Sequence, residues 1–365
     1  MNIRTTIPRH TAFEKRGTTL DPANRFESSR RDPFDDGWET LAEAEPAAQT
    51  VLIRDATRSI ISRSDSPDLG FDRGLNPYRG CEHGCIYCYA RPTHAYLGFS
   101  PGLDFETKLI FKPDAASLLE RELSRKSYIP SPIVLGSNTD PYQPVERQLK
   151  LTRAVLEVLD RFNHPVSVIT KSAGVLRDGD ILQRMASRNL ARVHLSITTL
   201  DPQLARAMEP RAASPARRLV AVAGLARAGI PVGVLAAPMI PGLNDAELEA
   251  ILEASAAAGA TSTNAILLRL PHEVGALFEQ WLNRTMPDRA ARILSLIRQT
   301  RGGALNDPNF NSRFKGTGPY ADLLTARFKR AARRFNLSET PPALDCTRFA
   351  RPVPTQGPGT QMSLF

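Results

Sequence analysis

Asn76–Ala90 reads NPYRGCEHGCIYCYA, and its cysteines stand at 81, 85 and 88 in the spacing C-x3-C-x2-C. Three thiolates on so short a loop can converge on one face of an iron–sulfur cubane and bind three of its four irons. The fourth iron then stays open to a chelating small molecule. Gly80 and Gly84 give the backbone freedom to wrap closely around such a group. A structural zinc site wants four ligands, so three cysteines with His83 or His94 is the competing reading. The chain has only four cysteines, three of them in this loop, which in a reducing compartment means metal rather than disulfides. Cys346 stands alone near the end with no ligand spacing around it.

Downstream, short β-branched runs alternate with helical patterns. Strands are expected at Pro132–Ser137, Pro165–Thr170, Ala191–Thr198, Ile230–Ala237 and Asn264–Leu268, with one more near the cysteines. Helices are expected over Asp114–Lys126, Glu146–Phe162, Gly179–Arg188, Pro215–Ala228, Asp245–Ala258 and Glu273–Asn283, with Asp178 and Asn244 as N-caps. Gly229 and Gly259 read as C-terminal stops. This spacing predicts parallel strands joined by right-handed crossovers. The fold class is α/β, an open, partial (β/α)6 barrel with its chemistry at the C-terminal ends of the strands, a doubly wound sheet being the alternative. The expected divisions are a loosely ordered arm over 1–50, the barrel core over 51–284, a basic helical extension over 285–340 and a flexible tail over 341–365.

Cys81-Glu-His-Gly-Cys85-Ile-Tyr87-Cys88 resembles the signature of radical S-adenosylmethionine (SAM) enzymes, three cysteines with an aromatic residue directly before the last. The likeness extends over Ser66–Glu106, GSNTDPYQP, VITKS, MEPR and PVGVLAAPMIPGLND to proteins related to spore photoproduct lyase, often labelled DNA repair photolyases. Weaker similarity continues through LNDPNFNSRFKGTGPYADLL. The resemblance implies a [4Fe–4S] cluster on Cys81, Cys85 and Cys88, SAM as cofactor, an electron donor, and lyase- or transferase-like radical chemistry. It implies that Tyr87 packs near the adenine of SAM, that Lys171 and Ser196 hold SAM, and that Tyr89 relays a hydrogen atom. Position at strand ends adds Ser137 and Asn138 to the SAM set, and a Lys171 ammonium suits the methionine carboxylate. One departure stands out. Where the lyase carries a cysteine hydrogen donor, this chain has Ser137 and Asn138, and a serine O–H bond is too strong to replace a thiol.

Charge points to a partner. The formal net charge is +9, and the segment from Arg284 onward holds 14 Lys and Arg against 5 Asp and Glu, which is the whole excess. Arg327, Lys329, Arg330, Arg333 and Arg334 form one stripe on an expected helix Tyr320–Phe335, fit for a nucleic-acid backbone. The Gly-rich basic turn after Arg313 could meet phosphates through backbone N–H groups. Gln361, Leu364 and Phe365 at the end of a Pro/Gly-rich spacer resemble the short motif that binds bacterial sliding clamps. The N-terminus lacks a secretory pattern and no stretch is apolar enough for a membrane helix, so the expectation is a cytoplasmic protein. Three functions fit: radical SAM chemistry on DNA or another nucleic acid in repair or modification, the same chemistry on a protein, peptide or small molecule, and a non-enzymatic thiolate-metal binding module.

Overall fold

In the computed structural model, residues 16–26 and 49–352 are described. Their strands are β1 (Val51–Arg54), β2 (Ile61–Arg63), β3 (Arg73–Leu75), β4 (Tyr78–Arg79), β5 (Lys108–Phe111), β6 (Ile133–Leu135), β7 (Val166–Thr170), β8 (Ala191–Ser196), β9 (Val232–Met239) and β10 (Ser262–Leu267). The main sheet has the order β10-β9-β8-β7-β6-β3-β2, and every pair in it is parallel except β2 with β3. Six parallel strands in chain order, each followed by a helix, make the expected partial (β/α)6 barrel. Their continuous β-branched runs suit strands covered on both faces. A small sheet, β1-β5-β4, flanks the cysteine loop and was not foreseen.

Val155, Leu156 and Leu159 of the helix Leu151–Arg161 are fully buried on its inward face. Burial of each such side chain contributes roughly 1.5–3 kcal/mol. That helix is separated from the turn Glu146–Leu149 by Lys150, whose φ of 51° interrupts the single helix expected over Glu146–Phe162. Gly229 and Gly259 sit at φ 73° and 99°, the left-handed positions that end helices. Neither expected N-cap closes through its side chain. Asp178 instead pairs with Arg153 and Arg177, and Asn244 ties the Thr198 carbonyl to the Ile240 amide.

The extension beyond 284 shares cores with the barrel. Ala290, Ile293, Leu294 and Ile297 lie in one cluster with Cys85, Ile86 and Tyr87, while Phe328, Ala331 and Leu337 join the main core. The helix Pro319–Arg334 starts at Asp245, where Tyr320 donates to its carboxylate, and ends where Ser338 meets Thr261 and Thr263 at the start of β10. It therefore runs from the chemical end of the barrel to the far end. Lys329, Arg330, Arg333 and Arg334 are exposed on its last turns, at the end away from the cysteine loop. Arg327 leaves the stripe, since Glu249 takes it at 2.6 Å. The N–H groups of Lys315, Gly316 and Thr317 are likewise taken, by Ser312 and Thr300 carbonyls. A phosphate would find none of them free.

Two segments expected to be unpacked are docked. Arg16–Phe26 lies on the cysteine loop, as described below. At the other end Phe349 packs against Tyr128, Phe162 and His164 with ring centroids 5.6, 6.2 and 5.7 Å away. Arg192 donates to the Pro342 carbonyl and Asp345 to that of Asn189, which places Cys346 at the far end of the barrel. Gln361, Leu364 and Phe365 lie outside the described residues. Finally, Asp68 in the β2–β3 turn accepts Arg313 at 2.5 and 2.7 Å, and Phe314 beside it accepts the Leu267 amide at the end of β10. That ion pair ties together the two edges of the open barrel.

His164 carries a pH prediction. It is fully buried, with Nδ1 3.0 Å from the Pro165 carbonyl and Nε2 2.7 Å from the Tyr128 hydroxyl. Those partners fit a neutral ring, and burial lowers its pKa to about 4. The unfolded imidazole, at about 6.5, takes up its proton first, so stability is full above that value and falls as pH drops toward 4. This one group should cost about 2 kcal/mol between pH 7 and pH 5. Urea unfolding of His164→Gln should show a correspondingly flatter pH dependence than wild type, and equal slopes would refute the assignment.

Candidate active site

The cysteine loop leaves the C-terminal end of β3 and is held from several directions. Gly80 and Gly84 take φ of 81° and 66°, and a Cβ on Gly80 would lie 2.9 Å from both His94 and the Phe105 carbonyl. The Cys81 amide donates to that same carbonyl at 2.9 Å. Arg91, fully buried, donates to the carbonyls of Gly84, Cys85, Pro101 and Gly102 and pairs with buried Glu106 at 2.5 Å. The N-terminal strap closes over this pair. Glu106 accepts the Gly17 amide at 2.9 Å, and its carbonyl accepts Arg16.

The strap fits without slack. A Cβ on Gly17 would stand 1.7 Å from the Gly84 carbonyl oxygen, between the first two cysteines. Gly17→Ala should lift the strap and expose the loop. Reconstituted under argon and then exposed to air, this variant should lose its iron–sulfur absorbance several-fold faster than wild type; an unchanged rate would mean that the strap shields nothing.

Cys81 and Cys85 are buried and Cys88 is partly exposed. Burial and mutual repulsion raise the thiols, Cys85 to about 12 and Cys81 well above its usual value. A bound metal ion would favour the thiolate forms that burial opposes at Cys81 and Cys85. Among the described residues no set of three His, Cys, Asp or Glu closes on a single ion. Thiolates in a cubane each take a different iron, so they need not converge on one ion as the ligands of a zinc site must. His83 is engaged with Asp140 at 3.3 Å and His94 with the Lys108 carbonyl at 2.9 Å. The donor set fits a [4Fe–4S] cluster.

The segment Met208–Arg211 grips the loop from the opposite side. The Met208 carbonyl accepts the Ile86 amide at 3.0 Å, the Arg211 amide reaches the His83 carbonyl, and its guanidinium pairs with Glu82 at 3.0 Å. Between them Glu209, itself buried, accepts the Tyr87 hydroxyl, Thr198 Oγ1 and the buried Arg218 guanidinium. Tyr87 is thereby fixed in place beside the cysteines, and Lys171 Nζ lies 5.8 Å from its ring centroid.

The other residues expected at the site fall at the C-terminal ends of their strands. Ser196 closes β8, and its carbonyl accepts Arg218 at 2.9 Å. Lys171 follows β7, with its amide on Asp140 at 2.7 Å. Ser137 and Asn138 follow β6, and Asn76 binds both, at 3.3 and 2.9 Å. Tyr89 is 49% exposed and donates to the Ser137 carbonyl, so it stands at the mouth. Tyr87, Lys171 and Ser196 thus share one side of the mouth, linked through Glu209 and Arg218, and Tyr89, Ser137 and Asn138 share the other. Sequence reasoning missed Glu209, Arg218, Asp140, Asn76 and the Arg91–Glu106 pair. Glu209 and Asp140 lie inside MEPR and GSNTDPYQP, motifs that were noticed without a role for each residue.

An incomplete parallel barrel with three cysteines on the loop after its first strand defines an iron–sulfur enzyme of the barrel class. The family model described as the radical SAM superfamily matches residues 75–254. An uncharacterized protein of Mycobacterium tuberculosis (strain H37Rv) is 35% identical over 251 residues, 68% of this chain and 73% of that one. One of Methanocaldococcus jannaschii is 31% identical over 173 residues, 47% of this chain and 62% of that one. A spore photoproduct lyase complexed with dinucleoside spore photoproduct superposes with a TM-score of 0.59 at 16% identity, covering 78% of this chain and 79% of that chain. The chain belongs to the radical SAM superfamily. It is an enzyme of that class, with a [4Fe–4S] cluster and SAM as cofactors and a need for an electron donor.

When bound, the cluster and SAM supply one-electron reductive cleavage of a sulfonium C–S bond, from which hydrogen abstraction follows. The protein's part is placement. Cys81, Cys85 and Cys88 would hold the metal, Arg91 and the Gly17 strap fix the loop, and Glu209 fixes Tyr87. Among the described residues no helix is long and apolar enough to cross a membrane.

Proposed function

We propose that this enzyme abstracts hydrogen from a nucleotide unit of DNA or another nucleic acid, in repair or modification, in the cytoplasm. The observation that carries this reading is Tyr89, an aromatic ring half-exposed at the mouth one residue past a cluster ligand. Every base has a face that can stack on such a ring, so the platform suits a flipped or single-stranded nucleotide. The lyase that shares the fold has been seen complexed with a dinucleoside spore photoproduct, which supports the same substrate class. In this reading Tyr87, Lys171, Ser196, Ser137 and Asn138 hold SAM, and Tyr89 meets the substrate and relays hydrogen. Ser137 and Asn138 stand where a thiol donor would be needed for thymine-dimer reversal, so the reaction is a different one.

The basic stripe supports the reading less than its charge suggested, because it lies at the far end from the chemistry. It can contact a flanking strand only if the nucleic acid wraps the barrel. The test is anaerobic turnover with deuterated oligonucleotide. Deuterium appearing in 5′-deoxyadenosine supports the proposal, and SAM cleavage without isotope transfer from any nucleic acid would redirect it to a peptide or small molecule.

A further inference from the structure

Two residues past β10, Arg269 stands between buried Leu268 and Leu270, with its backbone set by the Leu268 amide on the Met239 carbonyl at 2.9 Å. Its side chain is half-buried, and among the described residues its guanidinium has no hydrogen-bond or ion-pair partner. The Nε–H is shut away from water and has no acceptor among those residues. What the guanidinium touches is the Phe314 ring, 5.1 Å from the centroid.

Its cationic neighbours are held by protein groups through their terminal nitrogens, although the Arg301 Nε–H, like that of Arg269, has no partner among the described residues. Arg313, 4.8 Å from the same ring, is bound by Asp68. Arg301 is spent on the carbonyls of Leu267, Leu268, Ser312 and Arg313. Asp68 and Asp307 are felt by Arg269 only weakly, behind burial and the like charge of Arg313. Tyr89 on the cysteine loop lies near enough for the Arg269 charge to favour ionisation of its hydroxyl, although burial dominates and raises its pKa.

A partly buried cation with an unmet donor is costly unless a counter-charge arrives. The forked guanidinium is the side chain best shaped for a phosphate or carboxylate. Arg269 comes from one edge of the open barrel and Tyr89 from the loop beyond the other. An aromatic platform with a cation beside it is the combination that holds a nucleotide by base and backbone together.

We propose that Arg269 is an anion-binding residue at the barrel mouth and receives a phosphate of the nucleotide that lies on Tyr89. The identity of the anion rests on the nucleic-acid reading above; the anion site itself does not.

The reconstituted holoenzyme should be titrated with inorganic phosphate, with a dinucleoside monophosphate, and with its uncharged methylphosphonate analogue. Wild type should bind the charged dinucleotide at least about tenfold tighter than the neutral one, the effect of one charge-assisted contact. Arg269→Gln should bind both alike and weakly, with iron content and SAM affinity unchanged, and Arg269→Lys should recover part of the difference. If Arg269→Gln binds the charged dinucleotide as wild type does, the Arg269 site is overturned while the nucleic-acid reading stands. If wild type binds inorganic phosphate through Arg269 but no dinucleotide, the site stands and the nucleic-acid reading falls. Wild type binding none of the three overturns the site.

Discussion

Cys85→Ala should yield a folded chain that assembles no [4Fe–4S] cluster and cleaves no detectable SAM. Two thiolates cannot hold a cubane whose third protein ligand is gone and whose fourth iron must stay open. The fold itself should survive, because Cys85 is one small member of a cluster that includes Ile86, Tyr87, Leu277, Phe278 and Trp281. Its burial makes the free thiol a poor nucleophile, raised to about 12, so solution metal has little claim on it until the whole trio is engaged. Iron and sulfide analysis together with far-ultraviolet circular dichroism separates loss of the cluster from loss of structure. Cys346→Ala is the control, and it should reconstitute fully, since that thiol sits at the opposite end of the barrel. A Cys85→Ala protein with its full complement of iron would remove the basis for the site described here.

Glu209→Ala should be the most damaging single change away from the cysteines. Glu209 and Arg218 are both buried, 3% and 1% exposed, so solvent has little access to replace either partner. Removing the carboxylate leaves a buried guanidinium uncompensated and frees the Tyr87 and Thr198 hydroxyls together. Breaking a buried pair from one side costs about 3–5 kcal/mol. Replacing both partners with apolar residues of similar volume, Glu209→Leu with Arg218→Met, should recover much of that loss, and this cycle distinguishes a stranded charge from lost packing.

Burial by itself would raise the Glu209 carboxyl, but the charges of Arg218 and Lys171 override it and hold the group at about 2. A depressed carboxyl stabilises the fold above its unfolded value and loses that contribution as pH falls through the folded one. Glu209 should therefore contribute to acid unfolding between about pH 4.5 and pH 2. Urea unfolding at pH 7 and pH 3, wild type against Glu209→Gln, checks the sign. A variant more stable relative to wild type at pH 7 than at pH 3 would contradict it.

Much of the barrel was legible because a parallel sheet buried on both faces announces itself in runs such as PVSVIT and ARVHLSIT, with Gly229 and Gly259 marking where helices must stop. The candidate metal ligands were legible because three cysteines at close spacing have few other uses. What stayed hidden depends on approach in three dimensions. Gly17 reads as an unremarkable residue in a polar arm, yet it touches Gly84 across 67 positions of chain. Arg327 reads as one of five cations on a helix, and only the position of Glu249 on the neighbouring helix removes it from that set. Arg269 offers the converse case, an ordinary arginine in sequence whose lack of a partner among the described residues is visible only in three dimensions.

The pairing of Asp68 with Arg313 decides how anything large gets in. A sheet whose free margins are buckled to each other cannot be loaded from the flank, so a long polymer has to offer a protruding unit along the axis, past Tyr89 and Arg269. An engineered break at Asp68 would trade that restriction for sideways entry.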